Sequence, residues 1–343
     1  MIWIRTDGNP EIGSGHIMRC MSVAAEIKRL GKQVQFILAD DAAVGLLESR
    51  DFEYRILHTS YQDMESELGV LIDMLETEAP ESLLIDSYFV TAQYLSKLRE
   101  YVPTSYIDDK ASFPYPVDML INYNIYGGLI PYKETAALPS MKFLLGCMYA
   151  PLREEFRDVS YTVRDSVEKV LLTTGGSDKY NLACQILRKV LSVKELQKKQ
   201  YHVVSGMFNP YLEDLKALAK EHSNVHLHIN EQHMSRLMQE CDVAVTAGGS
   251  TMYELCAVGV PIICFSFVDN QEQIVETFAK ENMVCYGGNY LLEKENMLDE
   301  IAENLTMLAG SKTVRERYHQ KERELVDGQG ACRIAQMILE NRR

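Results

Sequence analysis

The sequence has little of what usually betrays a function by composition. It has one tryptophan, no CxxC pair, no apolar run of transmembrane length and a shortage of basic residues: 35 Lys plus Arg stand against 49 Asp plus Glu among 343 residues, a formal charge of −14. A phosphate backbone needs a basic surface, so nucleic acid is excluded as a partner. An anionic small molecule is not, because helix termini and one or two basic side chains make a local positive pocket in an acidic protein. No stable membrane insertion is expected, and the strand-like start Met1-Ile2-Trp3-Ile4 does not read as a signal peptide. The eight cysteines, at 20, 147, 184, 241, 256, 264, 285 and 332, stand singly and mostly among apolar neighbours. That suits buried free thiols in a reducing cytosol, and a cytoplasmic monomer is the expectation.

What is present is regular alternation. Strand patterns fall at 1–5, 32–38, 54–57, 82–85, 104–107 and 119–122, with helical patterns at 17–30, 41–50, 63–77 and 91–100 between them. Residues 126–167 are less regular and carry Pro131, Pro139 and Pro151, which places a domain junction there. Alternation then resumes, with strands at 170–173, 201–205, 225–229, 242–245 and 261–265 and helices at 180–191, 209–221, 232–239, 251–258, 270–280 and 294–308. Two further helices fall within 312–342. Strand and helix in turn with short connections predict parallel sheets covered on both faces, an α/β fold of two domains, 1–155 and 165–343. Polar residues cluster at the strand ends, Asp7, Asp86, Asp108, Asp109, Asn122 and Asn124, where open parallel sheets bind ligands. Two such sheets predict a central cleft for a large ligand.

Three glycine-rich turns follow apolar runs. In Ala247-Gly248-Gly249-Ser250-Thr251-Met252-Tyr253-Glu254-Leu255 a buried strand ends, the chain turns and a helix begins. Unpaired N–H groups at such a turn hold a diphosphate, with Ser250 and Thr251 as hydroxyl donors and Glu254 as an acceptor for ribose. Gly175-Gly176-Ser177-Asp178 offers a second set of donors, with Ser177 as a positioning group or a plain helix cap. In Ile12-Gly13-Ser14-Gly15-His16-Ile17-Met18-Arg19-Cys20, His16 stands at a helix N-terminus, whose positive end disfavours a second positive charge. That suits a neutral general base. Arg19, one turn on, meets either a ligand anion or a protein carboxylate. Asn270 and Gln271 open a helix after residue 265 with amides suited to sugar hydroxyls or acetamido groups. No dinucleotide fingerprint or P-loop is complete, so no cofactor is implied. His226 and His228 alternate on a strand, but no third ligand is placed beside them, so no metal is expected either.

Taken together, the first turn, including its His and Arg-Cys, and the Ala247–Glu254 segment with Gly259-Val260-Pro261 and Asp269-Asn270-Gln271 resemble the UDP-sugar hydrolases of pseudaminic acid biosynthesis, relatives of the MurG-type glycosyltransferases. Leu84-Ile85-Asp86-Ser87-Tyr88, Asp108-Asp109, Asn122-Tyr123-Asn124 and Pro151-Leu152-Arg153-Glu154-Glu155-Phe156 extend the resemblance along nearly the whole chain. It implies two Rossmann-like domains in a GT-B-like arrangement, with uridine and diphosphate held chiefly by the C-terminal domain. It also implies hydrolysis of UDP-2,4-diacetamido-2,4,6-trideoxy-β-L-altropyranose by water at the anomeric carbon, with inversion. By that resemblance His16 is catalytic, and Tyr88, Gly249, Ser250, Thr251, Glu254, Asn270 and Gln271 contact substrate; Gly15, Arg19 and Ser177 join them as expected substrate contacts from their places in the glycine turns. Asp7 or another carboxylate of the first domain orients His16. The first loop, Asp7-Gly8-Asn9-Pro10-Glu11, departs from the family's commoner Asp-Ala-Ser segment. The alternatives are a UDP-sugar-dependent glycosyltransferase, a hydrolysing 2-epimerase and a non-catalytic nucleotide-sugar-binding protein.

Overall fold

The computed structural model describes residues 1–9, 11–175, 178–206 and 209–341, residue 270 by its backbone alone. The chain divides into two compact units, Met1–Arg153 together with the last stretch from Gln329, and Glu154–Gly328.

The first unit alternates β1 (Ile2–Thr6), α1 (Gly15–Arg29), β2 (Val34–Leu38), α2 (Val44–Glu48), β3 (Glu53–Ile56), α3 (Leu68–Glu78), β4 (Ser82–Asp86), α4 (Ala92–Arg99), β5 (Thr104–Ile107), β6 (Met119–Asn122) and β7 (Lys142–Leu145). The strands form one parallel sheet in the order β3-β2-β1-β4-β5-β6-β7. Every residue of β1, β2, β4, β5 and β6 is buried, as a parallel sheet covered on both faces requires. From β1 the order runs outward to β3, and from β4 it runs the other way to β7. The β1/β4 seam is therefore the topological switch point, beyond whose carboxyl ends such sheets bind ligands. Register pairs Thr6 with Asp86 across that seam.

One strand residue breaks the apolar pattern. Arg5 is fully buried in β1, and Glu67 meets it as a fork, Nε to Oε1 at 2.7 Å and Nη2 to Oε2 at 2.8 Å. Asp7 accepts from Arg5 Nη1 at 2.5 Å and from the Ala39 amide at 2.8 Å, and Tyr94 donates to Glu67 at 2.6 Å. A charge without water needs such complete pairing, so Asp7 is spent on holding β1, β2 and the turn before α3 together.

The second unit runs β8 (Lys169–Thr173), α5 (Leu182–Ser192), β9 (Gln200–Ser205), α6 (Leu212–Glu221), β10 (Val225–Ile229), α7 (Met234–Glu240), β11 (Val243–Ala247), α8 (Ser250–Val258), β12 (Ile262–Ser266), α9 (Asp269–Lys280), β13 (Cys285–Asn289), α10 (Tyr290–Glu293), α11 (Glu295–Gly310) and α12 (Lys312–Leu325). Its parallel sheet is ordered β10-β9-β8-β11-β12-β13, with the switch point between β8 and β11. The two glycine turns at 175 and 248–249 leave the carboxyl ends of those two strands.

Four features differ from the sequence reading. Strands β7 and β13 and the short helix α10 were not expected. The last helix, Gly330–Glu340, belongs to the first unit and not to a second domain running from 165 to the end. It packs against α1 through buried Ile334, Ala335 and Ile338, and Arg333 Nη1 donates to the Met148 carbonyl at 2.8 Å. A Cβ on Gly330 would stand 2.1 Å from the Ala150 carbonyl oxygen, so only glycine lets the helix start this close to that backbone.

Candidate functional site

The first unit places His16 at the β1/β4 switch point. The loop before it is tied locally: Asn9 Oδ1 accepts from the amides of Glu11 at 2.9 Å and Ile12 at 3.0 Å, and Gly13, at φ 75°, turns the chain into α1. His16, the second residue of that helix, is 5% exposed. Its Nδ1 lies 2.6 Å from Asp86 Oδ1, at the end of β4. A carboxylate only accepts, so Nδ1 carries the proton and the lone pair of the neutral ring falls on Nε2. Among the described residues Nε2 has no hydrogen-bond partner. Tyr88 sets its ring edge-on to the imidazole, with centroids 4.3 Å apart at 82°.

Arg19 lies one turn along α1 on the same side. It grips Asp86 with two donors, Nε to Oδ2 at 2.6 Å and Nη2 to Oδ1 at 2.6 Å, while Nη1 reaches Tyr123 Oη at 2.9 Å and Asp109 Oδ2 at 2.9 Å. Burial alone would push the Asp86 carboxyl up, but Arg19 and then His16 hold it well below the usual carboxylate range. Burial pushes the Tyr123 phenol up to about 12, against the pull of Arg19, so it stays neutral and accepts from Arg19 Nη1. Asp109 also accepts from Tyr88 Oη at 3.3 Å and Asn124 Nδ2 at 2.9 Å, and Lys110 Nζ stands 4.4 Å over the Tyr88 ring. The result is an oriented imidazole with one free nitrogen, backed by a carboxylate that stays ionised.

In the second unit β11 ends in the Gly248-Gly249 turn and α8 begins at Ser250. A Cβ on Gly248 would lie 2.6 Å from Val275 Cγ2 and 3.1 Å from the Gln271 carbonyl oxygen, so α9 presses directly on this turn. Gly249, at φ 159° and ψ −165°, occupies a region open essentially to glycine alone. Ser250 is exposed and Thr251 and Glu254 are half-buried on the first turn of α8. The amides of Gly249, Ser250 and Thr251 have no partner among the described residues, which leaves them free for an anion at a helix N-terminus. Gln271 Oε1 accepts from the Phe267 amide at 3.1 Å, tying α9 back to β12.

The structure thus brings Gly15, His16, Arg19 and Tyr88 together in the first unit, and Gly249, Ser250, Thr251, Glu254 and Gln271 in the second. Ser177 lies outside the described residues, as does the side chain of Asn270. Two assignments change. Arg19, counted among the substrate contacts with a protein carboxylate as its alternative partner, spends its guanidinium on Asp86, Tyr123 and Asp109. Asp7, considered for orienting His16, is bound to Arg5, and Asp86 takes that place. Asp108, also a strand-end carboxylate, is structural: it accepts from Tyr115 Oη at 2.7 Å, from the Lys110 amide at 2.8 Å and from Tyr132 Oη. Position at a strand end marked Asp86 and Asp109 in the sequence; nothing there separated them from Asp7 and Asp108. Asp178 caps α5 through the amides of Leu182 at 2.7 Å and Ala183 at 2.8 Å. Among the described residues no group of three or more His, Cys, Asp or Glu can hold a metal ion. His226 and His228 instead line up with His202, whose Nδ1 is 3.0 Å from His228 Nε2.

Two units, each a parallel Rossmann-like sheet with its glycine turns at the switch point, define a GT-B-like fold. Residues 170–329 match the model of the Glycosyltransferase family 28 C-terminal domain. Acinetobacter baumannii MurG superposes with a TM-score of 0.70 over 99% of both chains at 11% identity. WaaG, a glycosyltransferase involved in lipopolysaccharide biosynthesis, superposes with a TM-score of 0.60 over 98% of this chain and 99% of its own, at 13% identity. In sequence the chain is 27% identical, over 82% of its length and 96% of the relative's, to the UDP-2,4-diacetamido-2,4,6-trideoxy-β-L-altropyranose hydrolase of Campylobacter jejuni. No helix among the described residues is long and apolar enough to cross a membrane.

Proposed function

We propose that this protein is an enzyme that moves the glycosyl group of a UDP-sugar to an oxygen nucleophile deprotonated by His16. The observation that carries the reading is the His16–Asp86 pair at the β1/β4 switch point, with Nε2 left free. The acceptor oxygen bonds to the anomeric carbon as the bond from that carbon to the β-phosphate oxygen breaks. The acceptor's proton goes to His16 Nε2, and UDP leaves with the electron pair, so attack from the opposite side inverts the configuration. Neutral Nε2 takes that proton while Asp86, fixed on Nδ1, stabilises the imidazolium that forms. The diphosphate is assigned to the Gly249–Thr251 amides, which stabilise the leaving charge without a proton.

Two acceptors divide the readings. Water makes the protein a hydrolase, as the Campylobacter jejuni relative's name says of that protein, and its substrate is then the UDP-diacetamido sugar. A hydroxyl acceptor makes it a transferase. The match of residues 170–329 to a glycosyltransferase domain and the GT-B neighbours favour this second reading more broadly, and His16 performs the same task in either.

The deciding experiment offers the UDP-diacetamido sugar in isotopically labelled water, without and then with sugar or lipid acceptors. UDP release without acceptor, with label on the sugar's anomeric oxygen, gives the hydrolase. Turnover that appears only with an added acceptor gives the transferase. Binding without turnover under every condition overturns both and leaves a nucleotide-sugar-binding protein. His16→Ala is expected to lower turnover by about 10²- to 10⁴-fold while UDP binding stays close to that of the unaltered protein.

A further inference from the structure

A carboxylate that serves a histidine alone does two things: it fixes the tautomer, and it attracts a proton to the ring. The second works against a base, which must be neutral before the reaction begins. Asp86 does not serve His16 alone. Its Oδ1 is 2.6 Å from both His16 Nδ1 and Arg19 Nη2, and its Oδ2 takes Arg19 Nε at 2.6 Å. Arg19 Nη2 is only 3.1 Å from His16 Nδ1, a contact that brings a permanent positive charge against the imidazole.

We propose that Arg19 is a positioning residue that divides the charge of Asp86, leaving His16 its tautomer-fixing hydrogen bond but weakening the attraction that would hold a second proton on the ring. This rests on the reading of His16 as the base of glycosyl transfer.

The other groups around the pair are few. Asp109, just after β5, meets Arg19 Nη1 at 2.9 Å, and Tyr123, just after β6, donates no charge of its own. Tyr88 sets its ring edge-on to His16, and Lys110 Nζ stands 4.4 Å from the centroid of that Tyr88 ring. Cys20, from α1, stands 3.5 Å from Asp86 Oδ2. Burial pushes the Tyr88 phenol and the Cys20 thiol up, so both are neutral. Among the described residues the charges that act on the pair are therefore Asp86, Arg19, Asp109 and, more distantly, Lys110.

The test follows the acid limb of the pH profile of kcat/KM for UDP release in four variants. Arg19→Gln is expected to move that limb to higher pH by about one unit. Arg19→Lys, which keeps the charge, leaves the limb in place even where the rate falls. Asp86→Asn moves it to lower pH and cuts the plateau by about 10²- to 10⁴-fold. Asp109→Asn, which leaves Arg19 intact and less neutralised, also moves it lower, so a failure of Arg19→Gln to fold leaves a decisive variant. A limb that stays put in Arg19→Gln or Asp109→Asn, or moves opposite to these directions, overturns the inference, because loss of structure alone lowers rates without ordering the limbs by charge. The same variants, titrated without ligand through the His16 ring resonances in NMR, should show the same order. If the ring titrations keep that order but no UDP-sugar turns over, the proposed function fails and this inference stands. If turnover is present and the order is absent, the inference fails and the function stands.

Discussion

Gly248 and Gly249 are neighbours that would suffer differently from one added methyl group. At Gly248 the new Cβ meets Val275 Cγ2 at 2.6 Å and the backbone of α9 at 3.1 Å, so the turn or the helix must shift. At Gly249 nothing stands within 4 Å, and the cost is backbone strain of about 1–3 kcal/mol. Both changes disturb the amides assigned to the diphosphate, so Gly248→Ala and Gly249→Ala are expected to weaken UDP binding about ten- to a hundredfold in calorimetry. Gly15 is the control: its Cβ would enter open space at an ordinary φ, and Gly15→Ala should change stability by no more than about 0.5 kcal/mol. If Gly248→Ala and Gly249→Ala leave UDP binding unchanged, the turn is not the binding element. At this scale the sequence was informative about residue type and poor about partner. It showed a histidine at a helix start and a carboxylate at each of several strand ends. Which carboxylate faces His16 depends on strand order, because β4 and not β2 is the neighbour of β1 on that side, and order is a tertiary property.

Among the elements, the C-terminal helix carries the clearest prediction. Its Ile334 and Ile338 are buried against the first unit, each worth about 1.5–3 kcal/mol of apolar burial. Truncation after Gly328 is therefore expected to raise hydrogen exchange in α1 and β4 while strands β8 to β12 keep their protection. Equal loosening of both units would show that the helix does not belong to the first alone. The helix itself was legible from its apolar spacing, but its destination was not, since periodicity reports that a face is buried and not against what. Strands were legible where the apolar run was long. β13 escaped because Cys285-Tyr286-Gly287-Gly288-Asn289 has two glycines, poor strand formers by themselves. They are needed there because a Cβ on Gly287 would lie 2.7 Å from Ile301 Cγ1, where α11 crosses the strand. β7 escaped because four residues, Lys142 to Leu145, follow a proline-interrupted stretch and gain their strand only by pairing with β6.

At the scale of the whole molecule, one buried carboxyl in each unit responds to pH in the opposite direction. In the first, Asp86 is buried, and Arg19 and His16 hold its carboxyl below its ordinary value of 3.8. A carboxyl whose folded value is depressed contributes stability above the unfolded value, and that contribution is lost as pH falls below about 3.8 toward the folded value. In the second, Glu322 on α12 is fully buried, and neither of its oxygens has a hydrogen-bond partner among the described residues, with the Ile262 amide close by. Burial pushes this carboxyl well above its ordinary value of 4.5. A raised acid acts with the opposite sign: its share of stability is complete below 4.5 and is lost as pH rises from there toward the folded value. Exchange resolved by unit should therefore show the first weakening on acidification and the second weakening toward neutral and alkaline pH. Glu322→Leu removes an unsatisfied buried acid, so it is expected to stabilise the second unit by about 1–3 kcal/mol near pH 8, with a smaller gain near pH 4 and no change in the first. A gain that is the same at both pH values would mean that Glu322 does not change its protonation on unfolding, and a loss at pH 8 would mean that the carboxylate is paired after all.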